Sequence, residues 1–295
     1  MTTEVVRWGI FGVGRAGRAR ARAIAADPRA QLVGGWRGDP ASVSARAFAS
    51  AEALLAEVDA VAICSPNALH AAQARKALDA GVHALVEFPL AGSASEARAL
   101  LQQAAAVGRV LHVEHIELLG PAAEALRAWC RGRRLVSGSV RFTSGHSGWL
   151  ADPALALSVA HRNVARLHRL ADAVGLPEVA RVQSRGPHYL EAILRVGAAE
   201  VGLSLRHGPG LARHTEMALR LDDGASILQS GRDVFVDGVR LALPAGPGLF
   251  AADQRCATAR ILNGAGPYVD PDQVLAVLGL ADDLRQRPPA SLTPR

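Results

Sequence analysis

The sequence predicts an α/β protein in two parts: an N-terminal domain over residues 1–119 with a parallel sheet, and an α+β domain over residues 120–295 with a mostly antiparallel open sheet. In the first part, apolar β-rich runs alternate with helix-like stretches, which is typical of parallel strands joined by crossover helices. In the second, successive strand-like runs follow one another without crossover helices. This division allows the closing helices to pack back on the first domain.

The elements of the first domain follow from apolar runs that end at turn residues. A helix is expected to end at Asp27-Pro28, since proline cannot continue a helix. Strands are predicted at Val5–Phe11, Gln31–Trp36, Asp59–Cys64, Ala84–Glu87 and Val110–Glu114, and helices at Arg18–Ala26, His70–Ala80 and Ser93–Ala106.

The second domain begins with an alternating strand and a long helical stretch that ends at Gly175-Leu176-Pro177. Asp222-Asp223-Gly224 is a hairpin signal between two later strands. Strands are predicted at Val136–Thr143, Val179–Ser184, Leu190–Val196, Glu200–Arg206, Thr215–Leu221 and Ser226–Gln229, and helices at Leu155–Val174, Phe250–Leu262 and Pro271–Leu284.

The composition indicates a globular enzyme rather than a membrane or nucleic-acid-binding protein. Hydrophobic residues make up 49% and charged residues 20%, and no apolar run reaches the ~18 residues of a membrane span. Cys64, Cys130 and Cys256 fit neither a disulfide framework nor a metal site, which predicts a reducing cytoplasm. The net charge of +6 comes almost wholly from arginine without a recognisable nucleic-acid module, so we expect attraction for an anionic cofactor or substrate.

A glycine motif, Gly12-Val13-Gly14-Arg15-Ala16-Gly17, lies between the first strand and the first helix. In a dinucleotide-binding domain the first glycine allows a tight turn, the second lets the backbone approach a pyrophosphate, and the third lets helix and strand pack closely. The motif predicts a Rossmann domain whose helix N-terminus binds the phosphates. The alternative is a glycine-rich turn of another α/β protein.

The end of the second strand bears on the choice between the two nicotinamide cofactors. An acidic residue there would bind the ribose 2′-hydroxyl of NAD, but the strand ends in Trp36-Arg37. Arg37 could pair with a 2′-phosphate, which favours NADPH. Asp39, two residues on, keeps NADH possible, and Arg37 could instead be an exposed turn residue.

The order of the glycine motif, Ala62–His70 (AICSPNALH) and Ala80–Pro89 (AGVHALVEFP) resembles the Gfo/Idh/MocA oxidoreductases. That resemblance implies that Cys64, Ser65 and His70 lie at the cofactor, although Cys64 could be simply a buried small hydrophobe. Sugar dehydrogenases of that superfamily carry lysine where this chain has Phe88, and a histidine where it has Ala165. Ordinary alcohol oxidation is therefore not expected.

A closer resemblance is to the biliverdin reductases, carried by HVEHIELL at residues 112–119, SGSVRFTSG at 137–145, GPGLAR at 208–213 and LGLADDL at 278–284. It covers nearly the whole chain and is loosest between residues 146 and 205. It implies reduction of a linear tetrapyrrole at its central methine carbon. The family usually has tyrosine where this chain has Phe88, whose ring can still stack on a ligand but cannot donate a hydrogen bond.

The resemblance also assigns candidate catalytic residues. Arg166 aligns with an arginine thought to act in protonation of the substrate, and we expect it to stabilise charge or to hold a water or propionate that passes the proton. Arg169, one turn on, could clamp a propionate, although both could lie on a solvated helix face. Glu87, at a strand end, is expected beside the nicotinamide.

Glu114 and His115 could contact the substrate or cofactor, or could anchor the junction between the domains, whereas Glu117 is expected to be structural. A metal site in HVEHIE is not expected, because strand alternation separates His112 and Glu114 from His115. Three functions stay open: reduction of biliverdin, oxidoreduction of another conjugated or imine-like substrate, and non-catalytic dinucleotide binding by a regulator.

Overall fold

The structure is a computed structural model that describes residues 5–145, 150, 152, 154–246 and 248–290. It separates into two compact units, each described by itself. The first is drawn from Met1–Ile116, Ala154–Ala156 and Pro247–Leu275, and the second from Glu117–Pro153, Leu157–Gly246 and Ala276–Arg295. Residues 247–275 therefore belong to the same unit as the N-terminal segment. Within the described residues, no helix combines the length and the apolar composition needed to cross a membrane.

The first unit is built on a six-stranded parallel sheet in the order β3-β2-β1-β4-β5-β6. Its strands are β1 Val6–Val13, β2 Ala30–Gly38, β3 Arg46–Ala47, β4 Ala60–Ile63, β5 His83–Val86 and β6 Leu111–Val113. Its helices are α1 Arg15–Ala25, α2 Ala51–Leu55, α3 His70–Asp79, α4 Ala94–Ala106 and α8 Leu249–Asn263. This is the predicted parallel sheet with crossover helices.

The central strands of this sheet are apolar because both of their faces are covered. Trp8 and Ile10 on β1 are fully buried, and Ala257 of α8 packs into the same cluster. The first helix begins at Arg15, three residues before the predicted start, and Gly14 occupies its N-cap position. The short α2 was not predicted; the hydroxyl of Ser50 caps it by accepting from the Ala53 N–H.

The second unit contains an eight-stranded sheet in the order β14-β13-β12-β11-β7-β10-β9-β8. Its strands are β7 Leu135–Ser144, β8 Glu178–Gly186, β9 Tyr189–Val196, β10 Ala199–His207, β11 His214–Leu221, β12 Ser226–Ser230, β13 Asp233–Val236 and β14 Val239–Arg240. Among the described strands of this sheet, β7 and β10 pair in parallel and the other pairs are antiparallel, as expected.

The helices of this unit are α5 Pro121–Cys130, α6 Val159–Arg162 and α7 Val164–Val174, while α9 Pro271–Gln286 begins in the first unit and ends in the second. The single predicted helix Leu155–Val174 is instead two helices that start later, since the Ser158 hydroxyl caps α6 by accepting from the His161 N–H. α5 and the β13–β14 hairpin were missed. All the predicted strands are present, and the predicted fold class is confirmed.

Candidate active site

The glycine turn after β1 has the geometry that a dinucleotide requires. Gly12 has a φ of 85°, and a Cβ on it would lie 2.8 Å from the Ser65 backbone. A Cβ on Gly17 would lie 2.3 Å from the Gly12 carbonyl oxygen, so α1 packs directly on the turn. A Cβ on Gly14, by contrast, would meet nothing within 4 Å. The backbone at Gly14 is therefore open to a ligand, whereas Gly12 and Gly17 shape the turn.

The N-terminus of α1 is free to bind an anion. No side chain caps it, and no acidic residue lies in its first turn, which contains Arg15 and Ala16. Helix N-terminal N–H groups and the helix dipole favour a phosphate at such a position. The side chain of Val13 is buried in the core, so this residue offers a ligand only its backbone. These residues fit the pyrophosphate of a nicotinamide dinucleotide.

Arg37 is exposed at the carboxyl end of β2. Its guanidinium carbon lies 4.7 Å from the centre of the Trp36 ring, which in turn packs edge-on against Phe11 with centroids 5.2 Å apart. Arg37 has a φ of 62°, in the left-handed region, and β2 pairs there with the end of β1 that leads into the glycine turn. The strand thus presents a cation beside the phosphate-binding turn, and Asp39 is also exposed.

The loop after β4 contains Cys64, Ser65 and His70, three residues predicted to bind the cofactor. Burial and the charge of Glu87 raise the pKa of the Cys64 thiol well above its usual range. The buried ring of His70 lies between two backbone carbonyls, 2.9 Å from that of Ser65 and 2.8 Å from that of Pro89. His70 therefore links the loops after β4 and β5, and each ring nitrogen lies within hydrogen-bond distance of a backbone carbonyl oxygen.

Glu87 follows β5, and its side chain is 13% exposed. Its Oε1 lies 3.0 Å from Nη2 of Arg20, a fully buried residue of α1. Burial raises the pKa of Glu87, although the charge of Arg20 acts in the opposite direction. The half-buried Phe88 comes next in the chain. Glu87 thus keeps an exposed edge at the carboxyl end of the parallel sheet, where ligands bind in folds of this type.

Behind Glu87 lies a buried polar network that was not predicted. Nη1 of Arg20 lies 2.7 Å from Oδ2 of Asp253 on α8, and both side chains are fully buried. Oδ1 of Asp253 accepts from the Tyr268 hydroxyl at 2.7 Å and contacts Nε2 of His112 at 2.8 Å. The charge of Arg20 and the hydrogen bonds from His112 and Tyr268 outweigh burial and lower the pKa of Asp253. The network fixes α1, α8 and β6 around one charged centre.

Glu114 and His115 directly follow β6 and are both buried. Oε1 of Glu114 accepts from the Ile116 N–H at 3.3 Å, while its Oε2 has no hydrogen-bond partner among the described residues. The backbone N–H of His115 donates to the Tyr268 hydroxyl at 2.7 Å. Burial, with the charges of Glu87 and Asp253, raises the pKa of Glu114 well above its usual range. Both residues thus belong to the interior of the first unit.

In the second unit, Arg166 of α7 forms a buried ion pair. Its Nη2 lies 2.8 Å from Oε1 of Glu117, and its guanidinium carbon lies 4.1 Å from the centre of the Phe142 ring on β7. The half-exposed Arg213 reaches the same carboxylate at 3.7 Å and the same ring at 5.3 Å. Glu117 is therefore the counter-ion of Arg166, and its structural role stays a prediction.

Arg169, also on α7, is buried without an ion pair in the described part of the chain. Its Nε and Nη2 have no hydrogen-bond partner there, and burial lowers its pKa. Arg162 is similar: Nη2 donates to the Pro187 carbonyl at 2.8 Å, but Nε has no partner. Neither arginine lies on a solvated helix face. Buried guanidinium groups without counter-ions are costly, so this face of the second unit is suited to an anionic ligand.

Sequence reasoning missed Arg20, Asp253, Tyr268, Phe142 and Arg162. The sequence does not distinguish Arg20 from the other arginines of α1, and its partner Asp253 lies more than two hundred positions away. Periodicity cannot connect such residues. Phe142 lies in residues 137–145, one of the segments that resemble the biliverdin reductases. That resemblance could have identified Phe142 as a candidate site residue. The resemblance to the biliverdin reductases identified Arg166, and a spacing of one helical turn identified Arg169.

Residues 6–115 match the model of the oxidoreductase family with an NAD-binding Rossmann fold, Gfo/Idh/MocA. Biliverdin reductase A of Mus musculus is 41% identical over 142 residues, which cover 46% of this chain and 48% of that protein. UDP-N-acetylglucosamine 3-dehydrogenase of Acidithiobacillus ferrooxidans is 41% identical over 129 residues, 41% of each chain. The alignments thus span about half the length of these curated relatives.

Among solved structures, a biliverdin reductase from Synechocystis sp. PCC 6803, in complex with biliverdin and NADP+, superposes with a TM-score of 0.83. It is 27% identical, and the match covers 95% of this chain and 98% of that one. The predicted Rossmann domain and its nicotinamide dinucleotide cofactor are confirmed by these matches. Sugar-nucleotide dehydrogenases are also similar, so the comparisons leave the substrate open.

Proposed function

We propose that this protein, whose residues 6–115 match the Gfo/Idh/MocA oxidoreductases, reduces biliverdin or a similar linear tetrapyrrole to the bilirubin level with NADPH. The observation that carries the proposal is the buried face of α7. Biliverdin is an extended planar anion with two propionates, and α7 offers Arg166 beside an aromatic ring and Arg169, which has no ion pair among the described residues. The likeness to a biliverdin reductase over nearly the whole chain supports the same substrate.

The bound nicotinamide would supply the hydride that forms the new C–H bond at the central methine carbon. The chain would bind its pyrophosphate at Gly14 and the N-terminus of α1, and Arg37 would pair with a 2′-phosphate. Because Arg37 is the cation at the end of β2, NADPH is the expected cofactor and NADH the weaker one. Glu87, at the end of β5, would border the nicotinamide.

In the second unit, Arg169 would bind a propionate through two parallel N–H···O bonds, which suit a planar carboxylate. Arg166 is held by Glu117 and packed on Phe142, so its position is fixed before a ligand binds. Its charge would stabilise electron density that builds up on the pyrrole nitrogens during hydride transfer. Arginine stays charged near neutral pH, so it would not itself donate the proton.

Oxidation of a sugar nucleotide is the second candidate, because a UDP-N-acetylglucosamine 3-dehydrogenase is 41% identical over 129 residues. An alcohol substrate needs a group that accepts the hydroxyl proton. Phe88 stands where the sugar dehydrogenases carry lysine, and the buried Ala165 stands where they carry histidine. The residues present therefore favour reduction of a conjugated substrate over oxidation of an alcohol.

The test is a visible spectrum of purified protein with biliverdin IXα and either NADPH or NADH. We expect the biliverdin band to fall and a bilirubin band to grow, faster with NADPH. UDP-N-acetylglucosamine with NAD+ or NADP+ is the matched assay for the second candidate. Binding of NADPH with no change of the biliverdin spectrum would contradict the proposal and would favour a non-catalytic dinucleotide-binding role.

A further inference from the structure

Two carboxyl groups contact the buried guanidinium of Arg20 in the first unit, and a third lies at the end of the neighbouring strand. Arg20 contacts Asp253 at 2.7 Å and Glu87 at 3.0 Å. Glu114, at the end of the neighbouring strand, is fully buried, and its Oε2 has no hydrogen-bond partner in the described part of the chain. A buried carboxylate oxygen without a donor is strongly disfavoured, whereas a carboxylic acid in the same place carries no charge.

The hydrogen bonds around Asp253 indicate which groups keep their protons. Nη1 of Arg260 lies 3.3 Å from Nδ1 of His112, and a guanidinium can only donate, so Nδ1 accepts and the Nε2–H donates to Asp253. The Tyr268 hydroxyl accepts from the His115 N–H and therefore donates its own hydrogen to Asp253. Asp253 thus accepts from two donors and pairs with Arg20, the arrangement of an ionised carboxylate.

If Glu87 and Glu114 were ionised as well, three carboxylates would face the single guanidinium of Arg20, and two negative charges would be buried without compensation. Such a state is much costlier than one with a protonated glutamate. We propose that Glu87 and Glu114 share an exchangeable proton in the folded protein at neutral pH, and that Asp253 and Arg20 are positioning residues that keep it there.

The charged and titratable groups packed around this pair agree with the assignment. Burial raises the pKa of both glutamates, and Asp253 adds to it, while Arg20 opposes it. Burial also raises the pKa of the nearby Cys64 thiol and of the Tyr268 hydroxyl, so neither loses a proton near neutral pH. The proton therefore resides on the two glutamates.

Use of this proton in turnover rests on the proposed function, whereas its presence in the resting protein does not. Glu87 is the exposed member of the pair. Its O–H bond would break as an N–H bond forms at a pyrrole nitrogen of the tetrapyrrole, whose methine carbon receives the hydride. Glu87 would remain as a carboxylate paired with Arg20, and the pair would regain one proton from solvent at the exposed edge of Glu87. This supply would replace the hydroxyl that Phe88 lacks.

Infrared spectroscopy of the protein without substrate tests the shared proton directly. At about pH 7.5 ordinary carboxyl groups are ionised, so a carbonyl band of a protonated carboxylic acid reports a strongly perturbed group. We expect this band in the wild type and its loss in Glu114→Gln. Asp253→Asn removes a negative charge beside the pair, so the midpoint at which the band disappears should fall by about one pH unit or more.

Asp27→Asn is the matched control, because Asp27 is equally buried and follows α1 at its other end. It should leave the midpoint unchanged. Absence of the band in the wild type at about pH 7.5 would overturn the proposal even if Asp253→Asn does not fold, and an equal midpoint in wild type and Asp253→Asn would overturn the positioning role. If the band is present but the protein does not reduce biliverdin, the shared proton is supported and only the proposed function is refuted.

Discussion

Replacement of Arg169 by methionine separates the stability of the free protein from its affinity for an anion. Arg169 is buried, and no ion pair holds it in the described part of the chain. Apolar replacement of buried charged groups is commonly neutral or stabilising by about 1–4 kcal/mol. We therefore expect Arg169→Met to leave the free energy of unfolding unchanged or to raise it within that range. Urea denaturation of the ligand-free protein measures this.

Arg166→Met is the matched variant on the same helix. It would leave the Glu117 carboxylate, 17% exposed, with the half-exposed Arg213 at 3.7 Å. Removing one partner of a buried pair typically destabilises a protein by about 3–5 kcal/mol, and the remaining arginine reduces that cost. The changes in the free energy of unfolding caused by Arg166→Met and Arg169→Met should therefore differ in sign, or at least in size. Equal destabilisation by both would refute the view that Arg169 lacks a counter-ion.

Affinity for biliverdin should change in the opposite direction to stability. A hydrogen bond to a charged group contributes about 1.5–3 kcal/mol, so Arg169→Met should weaken binding of biliverdin roughly tenfold to hundredfold. Biliverdin dimethyl ester has the same ring system without the carboxylate charges. Its binding should change less than about threefold in the variant. An equal loss of affinity for the diacid and the ester would refute the propionate contact.

Three further predictions concern the first unit. Arg37→Glu should raise the KM for NADPH about tenfold or more and leave that for NADH nearly unchanged, as initial rates with each cofactor would show. Gly14→Ala should weaken NADPH binding about tenfold without lowering the Tm, because its methyl group would meet no protein atom within 4 Å. Gly17→Ala should lower the Tm, because its methyl group would collide with the Gly12 carbonyl oxygen. The raised pKa of Glu114 means that the folded protein binds this proton above about pH 4.3, whereas the unfolded chain releases it there. The contribution of Glu114 to the free energy of unfolding should therefore fall by up to about 1.4 kcal/mol per pH unit as the pH rises. Urea titrations should show the wild type losing stability relative to Glu114→Gln over that range, and a constant difference would contradict the raised pKa.

The parts of the molecule that sequence could predict depend on local patterns. The glycine motif fixes a turn whose steric requirements are contained within Gly12–Gly17, so its geometry follows from six residues. The strands are also marked by local apolar runs. The network around Arg20 is different, because α1 and α8 meet only in the folded chain. No local pattern distinguishes Arg20 from the exposed Arg15 on the same helix, and the buried ring of His70 was likewise indistinguishable from a residue facing a ligand.

The charges of the two units constrain the ligands in different ways. In the first unit, Arg20 pairs with Asp253 and Glu87, so the interior needs no further anion, and we expect the cofactor phosphates at the N-terminus of α1 and at Arg37. In the second, no ion pair of Arg169 is found among the described residues, so this side chain favours a negative ligand.

A sugar nucleotide and a tetrapyrrole dipropionate both satisfy that requirement, and the arginines alone do not distinguish them. The distinction rests on Phe88 and Ala165, which cannot accept a hydroxyl proton, and on the glutamate pair that we propose as a proton donor. Loss of these two proton acceptors, together with the proposed proton supply, favours reduction.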